Sequence, residues 1–254
     1  MKNNLFLLLS LLIIFSCSNT DDEEIIQPSP PDNPPVYLLH KIFKDGKLLR
    51  ERTYDADSIL TTQTTYGSSG SIFLKQSYTY AGDTIKTISF NGNNDTTQLR
   101  SSYPTSNATL RVDRFNPDGT LDNYAIYTFL SEACGFTSYR FYHPDGTAYI
   151  EANIEYTDSN CSATTSFYDN LGNLSSSESI TRDDKSSPAY KLVKLFRTEN
   201  QGNITKSTSL DENGNINLNT SYVNDHVYNQ LGHLETTTTT FLTGAVENYT
   251  YEYW

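Results

Sequence analysis

The chain has 254 residues, with 18 Lys and Arg against 30 Asp and Glu for a formal charge of −12, and its aromatic content is 19 Tyr and 12 Phe against one Trp. A chain this negative lacks the cationic surface that holds phosphates, which sets aside nucleic acid as a partner and direct adsorption to anionic lipid. Aliphatic residues are few, so tyrosine must supply much of any core while its hydroxyl reaches water or a partner.

In chain order, the first element is Lys2, then the apolar run Leu5 to Phe15 broken only by Ser10, then Ser16. That layout predicts a cleavable signal peptide over residues 1–16. The run falls well short of the roughly 20 apolar residues a membrane-spanning helix needs. Ile14-Phe15-Ser16-Cys17 resembles the lipobox of bacterial lipoproteins, with Phe a departure from the commonest pattern. The resemblance implies lipid attachment at Cys17 and cleavage just before it, so the membrane is met through an N-terminal lipid. Residues 17–35 then form a lipidated N-terminus and a tether, first acidic (Asp21, Asp22, Glu23, Glu24) and then proline-rich, a composition that does not fold on its own. At about 3.1 Å per residue in polyproline form, the tether reaches roughly 55 Å. The acidic cluster is similar to the export signal that sends lipoproteins of the Bacteroidota to the outer face of the outer membrane. The location implied is the outer membrane, at the cell surface or facing the periplasm. Removing residues 1–16 takes one lysine and leaves a mature charge of −13.

Residues 36–254 read as one β domain built on a repeated unit: an aromatic or aliphatic residue, three residues, Gly, one residue, an aliphatic. Copies are Tyr66/Gly70/Ile72, Phe115/Gly119/Leu121, Tyr142/Gly146/Ala148, Tyr168/Gly172/Leu174, Leu210/Gly214/Ile216 and Tyr228/Gly232/Leu234, and Tyr54/Ser58/Leu60 keeps the offsets with Ser for Gly. In Asn116-Pro117-Asp118-Gly119 and His143-Pro144-Asp145-Gly146, proline presets the second turn position and aspartate suits the third. Glycine then takes the left-handed conformation that closes a type I turn with a bulge. The flanking apolar residues are then placed to meet across the two strands. Further turns fall around Ser131 to Cys134 and Asp158 to Cys161.

Between turns the alternation has period two, as in Tyr78-Thr79-Tyr80, Tyr127-Thr128-Phe129 and Tyr249-Thr250-Tyr251-Glu252-Tyr253. One face is aromatic and the other is threonine, serine or charge. Tyr190 to Phe196 is the one stretch that also admits a helix, though its β-branched and aromatic content fits a strand at least as well. The spacing predicts an all-β antiparallel meander of hairpins with about 17 strands. So wide a sheet does not stay open, and it either closes on itself or folds into two layers.

Tyr168-Asp169-Asn170-Leu171-Gly172-Asn173-Leu174 resembles the YD repeat of the RHS and teneurin-like proteins, with Tyr54-Asp55 and Tyr228 to Leu234 as weaker matches. The resemblance implies hairpins stacked into a long β strip and, more remotely, an accessory of an RHS-type toxin or secretion system. Asp57-Ser58-Ile59, Asp83-Thr84-Ile85 and Asp95-Thr96-Thr97 resemble the short O-glycosylation motif of extracytoplasmic Bacteroidota proteins.

No enzyme motif survives inspection. Asp211-Glu212-Asn213-Gly214-Asn215 is oxygen-rich like a calcium loop, but Thr stands at 220 where a ligating Glu belongs, and a hairpin turn accounts for it. His40, His143, His226 and His233 lack metal-site spacing and read as surface imidazoles. Glu151, Asn153 and Glu155 share one strand face, which suits a solvated surface better than a glycosidase pair. Gly67-Ser68-Ser69-Gly70 lacks the spacing of a nucleophile elbow. No metal, cofactor or catalytic residue is therefore assigned, and a hydrolase of unrecognised family is kept only as an alternative.

Tyr78 and Tyr80, and Tyr249, Tyr251 and Tyr253, are ladders suited either to core packing or to a platform for a glycan or surface protein. Cys134 and Cys161 lie one repeat period apart in turn regions on the same edge of the meander, in an oxidising compartment, and are predicted to form a disulfide. The expected role is non-enzymatic, binding or structural. No pattern in the chain specifies an oligomeric state.

Overall fold

The structure is a computed structural model that describes residues 37–106, 108–131, 134–185 and 202–254. The signal peptide, Cys17, the tether and Tyr190 to Phe196 lie outside the described residues. The repeated unit folds as five-residue turns of one design. Within Asn116–Thr120, the Asn116 amide donates to the Thr120 carbonyl and the Gly119 amide to the Asn116 carbonyl. The same two bonds recur in 143–147, 169–173, 211–215 and 229–233. Gly119 has φ 86°, and Ser58, at the same position in 55–59, has φ 63°. The backbone twist therefore requires this left-handed residue even where glycine is missing. The flanking side chains meet as registered partners, Tyr54 with Leu60, Phe115 with Leu121 and Tyr228 with Leu234, each beside a bulge.

These turns link β1 (Leu39–Lys44), β2 (Lys47–Tyr54), β3 (Leu60–Tyr66), β4 (Ile72–Ala81), β5 (Thr84–Asn91), β6 (Thr96–Ser106), β7 (Thr109–Phe115) and β8 (Leu121–Ser131). They continue through β9 (Gly135–Tyr142), β10 (Ala148–Tyr156), β11 (Ala163–Tyr168), β12 (Leu174–Arg182), β13 (Ile204–Asp211), β14 (Tyr222–Tyr228), β15 (Leu234–Phe241) and β16 (Val246–Tyr253). Each strand pairs antiparallel with its neighbours in sequence, and β16 returns to β1, closing a barrel. The two-layer alternative is thereby excluded. The strand count differs from the expected one for a geometric reason: an antiparallel meander closes without a parallel pair only if its strand number is even. β12 bonds directly to β13.

Register fixes which side chains enter the barrel. Arg52 pairs with Gln63 and Gln63 with Gln76; Tyr78 pairs with Thr87, Thr87 with Arg100, and Arg100 with Arg114. This face is the less exposed one, as the alternation of β5, β14 and β16 shows. It holds the buried Thr87, Ser89, Ser102, Ala125, Ala152, Ser207, Thr237 and Thr239. A closed sheet of this strand number encloses more room than aliphatic side chains of this chain could fill, and its inward tyrosines are only half-buried.

The two rims differ. Leu39 and Trp254 meet at one, where the Trp254 amide donates to the Leu38 carbonyl. At this terminal rim, inward aliphatics form the densest part of the core, with Leu39, Leu60, Ile85, Leu110, Ala163 and Leu234 all buried. Tyrosine hydroxyls close over them: Tyr54 donates to the Leu39 carbonyl at 2.7 Å, Tyr80 to Leu60 at 2.9 Å and Tyr253 to Leu234 at 2.8 Å. Cys134 and Cys161 are joined here by a disulfide, with Cα atoms 5.4 Å apart. At the opposite rim the same repeat positions turn outward. Leu60 and Leu234 are each 3% exposed, whereas Ile72, Leu174 and Ile216 are 40, 43 and 50% exposed. The copies that close turns at the terminal rim, Tyr54/Leu60 and Tyr228/Leu234, have their aliphatic partner inside, and each hairpin's register decides which face its flanking pair takes.

Candidate lumenal binding site

The inner wall carries an arginine belt. Arg50 and Arg52 face inward from β2, Arg100 from β6 and Arg114 from β7. Arg100 and Arg114 are direct cross-strand partners, an arrangement in which like charges repel. None of the four has a carboxylate within 4 Å among the described residues. The Nε atoms of Arg50, Arg100 and Arg114 and the Nη1 of Arg52 are buried without an acceptor. Arg52 is 3% exposed, and its Nε donates to Gln63 Oε1 at 3.0 Å. A chain of Gln63, Gln76 and Tyr78 continues from it, with Gln63 Nε2 and the Tyr78 hydroxyl each donating at 3.2 Å to Gln76 Oε1. Burial lowers the Arg52 and Arg100 pKa values, and neighbouring arginines add to the effect. Burial likewise raises those of Tyr78 and Tyr127, opposed by the same arginines.

Both predicted tyrosine ladders face the interior, on β4 and β16, with β1, β2 and β3 between them. They do not form one platform. Tyr80 and Tyr253 give their hydroxyls to backbone carbonyls at the terminal rim and hold structure. Tyr78, Tyr249 and Tyr251 bond to side chains, the last to Thr237 Oγ1 at 3.4 Å. Arg52 lies between the ladders and acts electrostatically on Tyr78 and Tyr253 alike.

The remaining candidates do not converge. Glu151 faces outward, ion-paired to Arg140 in a shallow 220 Å³ depression with Ile126, Thr128, Ser138 and Tyr142. Asp211 Oδ1 accepts the amides of Asn213 and Asn215, which uses its carboxylate as a turn staple. His40 and His226 are not free surface imidazoles. His40 Nδ1 lies 3.0 Å from the Arg52 carbonyl, and His226 Nε2 lies 2.9 Å from that of Ile204. Among the described residues no group of three or more His, Cys, Asp or Glu could hold a metal.

The arginine belt is absent from the sequence-based candidates. Its signal was present in Arg50-x-Arg52-x-Tyr54, where two arginines share the face of a tyrosine at period two.

No family model matches the chain, and no curated protein matches it. A crystal structure of a porin-like protein from Bacteroides uniformis aligns over 85% of this chain and 96% of its own, with a TM-score of 0.56 and 10% identity. The likeness is one of fold. Crystal structures of TcdB2-TccC3-TEV and TcdB2-TccC3-Cdc42 align over 80 and 76% of this chain but 13 and 16% of theirs, at 9% identity. Their TM-scores of 0.22 and 0.18 are too low to bear on the architecture.

Proposed function

We propose that this chain is a lipid-anchored, non-enzymatic outer-membrane protein whose barrel stands in water and binds a glycan or protein ligand on its inner wall. The observation that carries this reading is the polarity of the outer wall. Lys41, Glu51, Lys75, Lys86, Arg111, Asp113, Arg140, Glu151, Glu155, Lys206, Asp225 and Glu252 all lie on the outward face of their strands. On a lipid-facing wall each Lys or Arg near the midplane costs about 2–4 kcal/mol. The outer wall therefore suits water, and the tyrosines and arginines inside suit a ligand. In this reading the ligand enters at the rim opposite the one where β1 begins.

The test has two parts. Metabolic labelling with a fatty-acid analogue should mark the native chain and not Cys17→Ser, and protease added to intact cells should cut it at the surface. A screen of glycans and surface proteins against the purified chain should give a ligand whose binding weakens in Tyr78→Ala or Tyr251→Ala. Insertion into protein-free liposomes with ion conductance would overturn the reading.

A further inference from the structure

We infer that the arginine belt is a receptor for the carboxylate or sulfate groups of an acidic glycan, an inference that rests on the lumenal-binding reading above. Three observations converge on it. First, the mid-barrel inner wall from β2 to β8 holds Arg50, Arg52, Arg100 and Arg114 and neither Asp nor Glu, in a chain whose formal charge is −12. The local charge opposes the global one. Second, each of these guanidiniums has a buried nitrogen without an acceptor. Leaving a charged donor unsatisfied is costly, and an oxyanion supplies the missing acceptors through short charge-assisted bonds. Third, Arg100 and Arg114 sit directly opposite each other, a repulsion that a bound anion would relieve.

The surroundings specify more than a bare anion. The Gln63 and Gln76 amides adjoin Arg52, and the Tyr78 and Tyr127 rings stand among the arginines. Amides suit sugar hydroxyls and ring faces suit sugar C–H surfaces. Arg111, by contrast, is neutralised on the outer wall by Asp113 at 2.7 Å, which makes it a matched control; Arg111 and Arg114 alike lie over aromatic rings, Tyr124 and Phe141.

The experiment measures binding of the purified full chain to oligogalacturonate and to sulfated dextran oligosaccharide, each beside its neutral counterpart, the methyl ester and plain dextran. The expected result is salt-sensitive binding of one or both acidic sugars and none of the neutral ones. Arg52→Gln and Arg100→Gln should each weaken that binding about tenfold or more, while Arg111→Gln leaves it unchanged. Without ligand, Arg100→Gln should raise the melting temperature by relieving the Arg100–Arg114 repulsion, a readout that a merely structural arginine would move the other way. If neutral sugars bind equally and only the tyrosine variants weaken them, the inference falls and lumenal binding stands. If no sugar binds and Arg100→Gln lowers the melting temperature, the belt is packing and the inference falls. A carboxylate-only or sulfate-only response assigns the anion.

Discussion

Removing the disulfide is the perturbation whose size follows most directly from the chain. Cys134 and Cys161 are separated by 27 positions, and the loop-entropy relation gives about 3.5 kcal/mol of stabilisation for a closure of that length. Other contacts hold the same region of the barrel together. β9 and β10 are paired between the two cysteines, and the Tyr156 hydroxyl donates to the Cys134 and Phe136 carbonyls at 2.9 and 2.7 Å. The loss therefore falls on the unfolded chain, which gains freedom when the crosslink goes. For a domain of this size about 1 kcal/mol corresponds to about 2–4 °C, so Cys134→Ser/Cys161→Ser should melt about 7–14 °C lower than the parent. Differential scanning calorimetry of both proteins under non-reducing conditions measures this. A fall of under about 2 °C would refute the entropic argument, and free thiols in the native chain would refute the bond.

Three further outcomes are expected. Burial raises Tyr80 and Tyr139 to about 12, so they contribute stability that is fully present below the unfolded value of about 10 and lost as pH rises through about 12. Alkaline unfolding followed by circular dichroism should coincide with their ionisation in the ultraviolet, and ionisation complete at ordinary tyrosine pH in the folded protein would count against it. Tyr253→Phe removes the 2.8 Å bond to Leu234 and should cost about 1–3 kcal/mol by leaving a buried carbonyl short of a partner, measured by urea unfolding; no loss would mean that water replaces the hydroxyl. Gly202→Ala places a methyl 1.8 Å from the Asp183 carbonyl oxygen, which forces Asp183 and Gly202 apart and should cost about 1–3 kcal/mol, whereas an unchanged urea midpoint would refute the close approach of these two residues.

The turns were legible because their chemistry is complete within five residues. In Asn116–Thr120 the proline, aspartate and glycine each satisfy one local demand, and nothing distant alters them. The period-two faces were legible for the same reason. Closure and direction were not local. Whether Tyr54 and Tyr66 enter the barrel or leave it depends on the register of the hairpin between them, which a one-residue bulge resets. The arginine belt was hidden by averaging. A formal charge of −12 describes the sum, but the acids lie largely on turns and on the outer wall while Arg50, Arg52, Arg100 and Arg114 turn inward. Reading charge face by face, with the tyrosines as the marker of the inner face, recovers the belt from the sequence alone.

The scarcity of aliphatic residues then has a structural reason. A closed sheet of this strand number must fill its interior, leave it wet, or combine the two. Here the aliphatics are concentrated at the terminal rim, where Leu39, Leu60, Ile85, Leu110 and Leu234 are buried under the hydroxyls of Tyr54, Tyr80 and Tyr253. Away from that ring the inner wall mixes tyrosine, threonine, serine, glutamine and arginine, residues that tolerate partial hydration, with a few apolar side chains such as Val112, Ala125, Ala152, Phe141 and Phe167. Had the mid-barrel positions been leucine, the barrel would gain stability at about 25 cal/mol per Å² buried and lose its room for a ligand. One ring of aliphatics lines the terminal rim, and the wall beyond it is largely polar. Arg52 marks the boundary between the two, buried beside the ring and aimed at Gln63, and Arg52→Leu should therefore extend the apolar core, raise thermal stability and abolish anion binding together.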